Sequence, residues 1–221
     1  MTERQLNPGI LIVLSSPSGA GKTSLATDIV GKNKKIVFSV SVTTRSPRRG
    51  EIEGREYYFT DRSKFNSMIK NSEFIEYAEV FGNFYGTPKK NIETLIRRGR
   101  DVIFDVDWQG GTQIRNSHLA SSVVSIFILP PSIQVLKERL LSRAQDDQST
   151  VDSRMLEARS EISHWAEYDY VLINDDFVKV RDCIIKIIEV EKMRRQRQSS
   201  LPDFIAHLNN EFDLIKVKSD K

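Results

Sequence analysis

The stretch Ile10-Leu11-Ile12-Val13-Leu14-Ser15-Ser16-Pro17-Ser18-Gly19-Ala20-Gly21-Lys22-Thr23 decides how this chain folds. A short apolar strand, Ile10 to Leu14, runs into a Gly-rich turn, then a lysine and a hydroxyl residue. That order builds a cradle for a triphosphate. Small residues across Ser16, Pro17, Ser18, Gly19, Ala20 and Gly21 let backbone N–H groups converge on phosphate oxygens, and a helix from about Thr23 adds the positive end of its dipole. Lys22 can then reach the β- and γ-phosphates, and the Thr23 hydroxyl is suited to Mg²⁺. The usual pattern opens with Gly where this chain has Ser16; that position makes the opening turn rather than the phosphate contact. The plainer alternative, a glycine turn before a helix, does not require Gly19, Gly21, Lys22 and Thr23 in this register.

Outward from this stretch, short apolar runs alternate with helical patterns, which predicts an α/β fold with a largely parallel sheet. Core strands are expected at Ile10–Leu14, Ile36–Ser41, Val102–Val106, Val123–Leu129 and Tyr170–Ile173, five in all. Helices are expected near Thr23–Val30, Ser132–Arg143, Asp152–Glu167 and Phe177–Arg197. From Thr43 to about Arg98 the pattern changes to short aromatic-rich strands such as Tyr57-Tyr58-Phe59 and Phe74-Ile75-Glu76-Tyr77, with a turn at Gly82-Asn83. This reads as an inserted α+β lobe. The run Ala144 to Thr150 carries no large apolar residue and reads as a mobile lid loop. The expected division is a core over 9–42, 99–138 and 156–198, a lobe over 43–98, a lid over 139–155 and a tail over 199–221.

The chain has 221 residues, enough for a core that needs no staples. Its 33 basic and 30 acidic residues leave a net charge of +3, which does not argue for a nucleic-acid binder. Cys183 stands alone in the apolar run Val180–Val190 and is expected in the core; one cysteine permits no disulfide framework and fits a reducing compartment. The start, Met1 to Pro8, carries no apolar signal core, and no segment approaches a membrane span in length. A cytoplasmic protein is expected. The run Lys192 to Arg197 reads as a solvated helix end. In the tail, Phe204, Ile205, Leu208 and Phe212 allow a short amphipathic helix, docked on the body or on another subunit.

A second set of motifs narrows the reading. Ser41-Val-Thr-Thr-Arg45-Ser-Pro-Arg48-Arg-Gly-Glu51 and Gly54-Arg-Glu-Tyr57-Tyr-Phe59 closely resemble the nucleoside-monophosphate lobe of guanylate kinases. Phe74-Ile-Glu76-Tyr-Ala, Tyr85-Gly-Thr87, Asp105-Val-Asp107-Trp-Gln-Gly110, Arg139-Leu-Leu-Ser-Arg143 and Asn174-Asp-Asp176 continue the match in order, so the resemblance covers roughly Ile10 to Arg194. It implies a P-loop NTPase core with a GMP-binding lobe and a lid, ATP and GMP as substrates, and Mg²⁺ with ATP. It also implies that Arg45, Arg48, Tyr57 and Tyr85 hold the GMP phosphate, that Asp107 is a guanine-side contact, that Arg139, Arg143 and Arg154 are the lid arginines, and that Asn174 is an adenine-side contact. Ala144 stands where Gly often follows Arg143. Homo-oligomerisation is an expectation from the resemblance alone.

The residue chemistry agrees with these expectations. Guanine offers donors at N1 and N2 and an acceptor at O6. A carboxylate such as Glu76 accepts from both donors, and a hydroxyl such as Thr87 or Ser41 donates to O6. Adenine would leave the same groups unpaired, a strong basis for rejection. Thr87 before Pro88 also fits a cap for the next helix. Asp105 ends an apolar strand and should orient Mg²⁺ directly or through water; Asp105 and Asp107, two apart, should aim their carboxylates to one side. The acceptor phosphate is already ionised, so His118, His164 and His207 are left as surface or packing residues. Lys22, Arg48 and the lid arginines would carry catalysis by charge neutralisation and positioning. The rivals are a non-catalytic guanylate-kinase-like phosphopeptide-binding module, which usually lacks a competent phosphate loop, and a related kinase for AMP, dTMP or shikimate, which would not need Ser41, Glu76 and Thr87 in this arrangement.

Overall fold

A computed structural model describes residues 7–48, 50–80, 82–142 and 148–219. Strand β1 (Leu11–Ser15) leads into α1 (Lys22–Lys32), then β2 (Ile36–Phe38). A second group follows: β3 (Ser41–Thr43), β4 (Tyr57–Phe59), α2 (Arg62–Lys70), β5 (Phe74–Val80), β6 (Asn83–Pro88) and α3 (Lys89–Arg97). The chain then returns through β7 (Asp101–Asp105), α4 (Trp108–Arg115), β8 (Val123–Leu129), α5 (Ile133–Ser142), α6 (Gln148–Ile162), β9 (Tyr170–Ile173), α7 (Phe177–Lys192) and α8 (Leu201–Ser219).

Five strands form one parallel sheet in the order β2-β7-β1-β8-β9. β1 lies at its centre, and alternation along it sorts the two faces. Ile10, Ile12 and Leu14 pack with Leu25, Ala26 and Ile29 of α1 and with Val180, Ile184 and Ile188 of α7. Leu11 and Val13 pack on the other face with Ile92 and Ile96 of α3, Ile114 of α4 and Phe104. A strand buried on both faces reads as a near-continuous apolar run, which is why β1 shows no polar residue before Ser15.

The other four strands form a separate sheet in the order β4-β3-β6-β5, with β3–β6 and β5–β6 antiparallel. Its small core stacks Phe65 on Phe74 and Phe84, with ring centroids 4.5 and 5.3 Å apart. Gly86 is required there: a Cβ would sit 2.9 Å from the Phe74 ring and 3.1 Å from that of Phe65.

Four expectations need correcting. The strand expected over Ile36–Ser41 is two strands in different sheets, because Ser39 and Val40 carry the chain out of the core and Ser41 starts β3 beside Gly86 and Tyr85. Cys183 is exposed, on the outer side of α7, while Ile184 and Ile188 face the core. The run Lys192 to Arg197 is not merely solvated. Lys192 Nζ pairs with the buried Asp101 at 2.7 Å, and Arg197 binds the buried Glu191 and donates to Val123 O at 2.9 Å. The lid loop expected over Ala144–Thr150 is in part helix: Gln148–Thr150 begin α6, and 144–147 lie outside the described residues. The tail is the helix α8, with Phe204, Ile205, Phe212 and Leu214 exposed.

Candidate active site

The loop between β1 and α1 closes over a cleft of about 240 Å³ lined by Ser16, Pro17, Ser18, Gly19, Gly21, Lys22, Thr23, Asp107 and Glu161. Gly21 caps α1 with φ 97°, and a Cβ there would meet the Asn174 amide nitrogen at 2.5 Å, so only glycine serves. That amide donates to Ala20 O at 2.7 Å, and Arg139 donates to the same oxygen at 3.3 Å and to Asn174 O at 3.3 Å. Asn174 is buried, so in this structure its side chain braces the loop from beneath. Arg139 lies against the same segment. Arg143 is outside the described residues; Arg154 stands on α6.

Lys22 Nζ lies 2.7 Å from Asp105 Oδ1 and donates to Val106 O at 2.7 Å, which holds the cation at the end of β7. Thr23, the second residue of α1, is at the mouth of the same cleft. Asp105 and Asp107 do not behave as a matched pair. Asp105 engages Lys22, whereas Asp107 Oδ1 accepts Gly110 N–H at 2.8 Å as the cap of α4. Thr23 and Asp105 supply hard oxygen donors that fit Mg²⁺, and no cluster of three or more His, Cys, Asp or Glu able to hold a metal occurs among the described residues. A magnesium ion that takes most of its ligands from phosphate and water matches such a sparse protein set.

Across α4 lies a second constellation. Glu76 is 5% exposed, and Thr87 Oγ1 donates to its Oε1 at 2.5 Å. Thr87 Oγ1 is in turn 3.1 Å from Ser41 Oγ. With the Thr87 proton given to Glu76, Ser41 is the donor in that second bond. Burial raises the Glu76 carboxyl to about 7; the Thr87 hydrogen bond opposes this and the Asp107 charge adds to it. Register explains the meeting: β5 and β6 place Glu76 opposite Thr87, and β3 brings Ser41 alongside.

Arg45 makes a forked pair with Glu51, 2.8 Å from Nη2 to Oε1 and 3.1 Å from Nη1 to Oε2, and lies 5.3 Å over the Tyr57 ring. Glu51 holds the guanidinium more firmly protonated, and Arg45 lowers the Glu51 carboxyl in return. Tyr57 and Tyr85 meet edge to face at 5.8 Å, and burial raises the Tyr57 phenol. The Arg48 backbone N–H also donates to Glu51, at 2.7 Å, while its side chain is exposed. Glu51 thus organises the segment that carries both arginines.

The family model described as guanylate kinase matches residues 9–191. The chain belongs to the guanylate kinase family. It is 52% identical to the guanylate kinase of Cereibacter sphaeroides over 205 residues, covering 93% of this chain and 97% of that one. It is 50% identical to the guanylate kinase of Ruegeria pomeroyi over 213 residues, covering 96% and 99%. The crystal structure of guanylate kinase from Anaplasma phagocytophilum superposes with a TM-score of 0.71 at 41% identity, over 91% of this chain and 95% of that one. Its activity is that of a guanylate kinase, phosphoryl transfer from ATP to GMP.

Three residues that the motifs did not single out for a role contact the candidate site of this guanylate kinase. Glu161 reaches the phosphate loop and accepts Ser18 N–H at 3.1 Å. Gln113 of α4 accepts Tyr77 N–H at 3.0 Å and donates to Tyr77 O at 2.9 Å, tying the lobe to the core beside Glu76. Glu51 was visible only as the last residue of the Ser41–Glu51 motif. For Glu161 and Gln113 no local pattern marks the contact, since each partner is remote in sequence.

Proposed function

We propose that Glu76, Thr87 and Ser41 read guanine while the loop over residues 16–23 holds the ATP phosphates. The observation that carries this reading is the Ser41–Thr87–Glu76 hydrogen-bond chain, a buried carboxylate and two hydroxyls arranged for the N1, N2 and O6 edge of guanine. Arg45, Arg48, Tyr57 and Tyr85 form the cationic and phenolic surface for the GMP phosphate, with Glu51 presetting Arg45. Asp107, which lines the phosphate cleft and caps α4 beside Glu76, is assigned to the guanine side from the family resemblance.

Transfer needs no general base, because the attacking GMP phosphate is already ionised. Lys22 neutralises charge on the transferring group, and Arg48, Arg139, Arg143 and Arg154 close around it from the lobe and the lid. Thr23 and Asp105 would hold Mg²⁺, which would supply further charge neutralisation. Arg139 and Asn174 keep the loop shaped for the nucleotide by binding Ala20 O. Asn174 is assigned in addition to the adenine side.

An ADP-release assay with ATP and Mg²⁺, presenting GMP, AMP, CMP and UMP in parallel, tests the base-reading assignment when run on Glu76→Gln beside the unaltered chain. GMP turnover should weaken selectively, with KM for GMP raised roughly 10²-fold. A variant with unchanged GMP affinity and selectivity would overturn the assignment. Lys22→Ala should lower kcat by roughly 10²–10³-fold with the fold intact, and near-normal turnover would remove the cradle assignment.

Among the described residues no helix is long and apolar enough to cross a membrane, and use of ATP and GMP suits a cytoplasmic location. Self-association is proposed through α8, supported by its exposed Phe204, Ile205, Phe212 and Leu214.

A further inference from the structure

One acid in the phosphate cleft has no part in the mechanism above. Glu161 is the penultimate residue of α6, and its Oε2 accepts the Ser18 backbone N–H at 3.1 Å. Ser18 belongs to the loop whose N–H groups are arranged to receive phosphate, and Glu161 lines that cleft with Lys22, Thr23 and Asp107. Burial pushes its carboxyl upward, Asp107 and Glu157 push the same way, and Ser18 N–H and Lys22 draw it down. The carboxylate therefore places negative charge in a concavity built to accept negative charge. A phosphate oxygen and Oε2 would compete for the same N–H and for the field of the same lysine.

We propose that Glu161 is an internal competitor for the phosphate cradle: it occupies the Ser18 N–H in the nucleotide-free enzyme, and the phosphates of ATP have to displace it. Glu161 lies seven residues after Arg154 on α6, so the two share a face two turns apart. Displacement of Glu161 from the loop and movement of Arg154 relative to the cleft are then motions of one rod. Binding of the donor is thereby linked to the position of the lid helix. The competition lowers affinity for ATP and leaves the GMP side untouched. This inference rests on reading the loop as the ATP site.

The test is calorimetric titration of ATP with Mg²⁺ into the full chain without GMP, comparing it with Glu161→Gln. The amide keeps an acceptor for Ser18 N–H and removes the competing charge. ATP should bind several-fold tighter, while a separate titration gives an unchanged affinity for GMP. Unchanged or weaker ATP binding would overturn the proposal and leave Glu161 as a brace of the loop. If the glutamine variant does not fold, Glu161→Ala is judged by the same criterion, since it too removes the competitor. Lys22→Ala run alongside separates the two readings. ATP binding that survives this change undamaged sinks the cradle assignment itself, whereas loss of ATP binding there with no tightening at Glu161 sinks only the competition.

Discussion

With 5% exposure and a 2.5 Å hydrogen bond from Thr87, the Glu76 carboxyl sits where burial raises its pKa to about 7, so it titrates through neutral pH. Guanine N1–H and N2–H need two lone-pair acceptors, hence the ionised form. Below about pH 7 the free enzyme holds a proton that GMP must expel, and affinity should fall up to tenfold for each further unit of pH. Above that value the affinity should level off. The GMP phosphate titrates in the same region, so the profile is read as the difference between the unaltered chain and Glu76→Gln. Equal profiles would show that this carboxyl has no part in the pH dependence. Stability runs the opposite way to binding. The folded pKa lies above the ordinary 4.5, so the unfolded chain loses its proton first as pH rises. Stability therefore drains away between about 4.5 and 7, and the penalty is complete above 7. Glu76→Gln should stabilise the ligand-free protein at pH 8, by up to about 3 kcal/mol, as read from urea unfolding at pH 8 against pH 4.5. A variant less stable at pH 8 would contradict this account of the buried charge.

Among the elements, α4 and β5 form the joint that positions Glu76, on which the proposed guanine reading rests. β5 is an edge strand, so Tyr77 has no neighbouring strand on its outer side, and the Gln113 amide supplies both missing hydrogen bonds. The next residue back along β5 is Glu76. A Cβ placed on Gly110 of α4 would lie 3.4 Å from Glu76 Oε2. The carboxylate therefore rests on the first turn of α4, and the register of helix against strand sets its position. Gln113→Ala removes two hydrogen bonds worth about 1 kcal/mol each. It should raise KM for GMP several-fold to tenfold, leave KM for ATP unchanged and narrow the preference for GMP over AMP. A change confined to kcat, or shared equally by ATP and GMP, would show that the joint does not position Glu76.

On the scale of the whole molecule, apolar runs marked all five strands of the parallel sheet: the central β7, β1 and β8 are buried on both faces and leave a near-continuous apolar signature, while the partly exposed edge strands β2 and β9 are marked by short apolar runs of their own. Ser41 escaped this logic. Three residues of β3 are too few to show a period, and only pairing with β4 and β6 reveals the second sheet. The loop residues and Glu76 were legible because spacing within short motifs carries their chemistry. Glu161 and Gln113 were not, since their partners lie 143 and 36 positions away. Cys183 misled because α7 is apolar on more than its inner face, with Val178 and Val190 also exposed. The exposed apolar residues of α8 make a further expectation measurable: truncation after Gln198 should lower the mass found by light scattering to that of one chain. Equal aggregation numbers for the full and shortened chains would dismiss α8 as a contact between copies. The Gln113 amide also has a colloidal consequence. An open strand edge offers its N–H and C=O groups to any extended chain that arrives, and β5 carries the half-exposed Tyr77 and Val80 along that edge. By answering both backbone groups of Tyr77, one side chain denies a foreign strand its central foothold, so the same clasp guards this edge against templated aggregation.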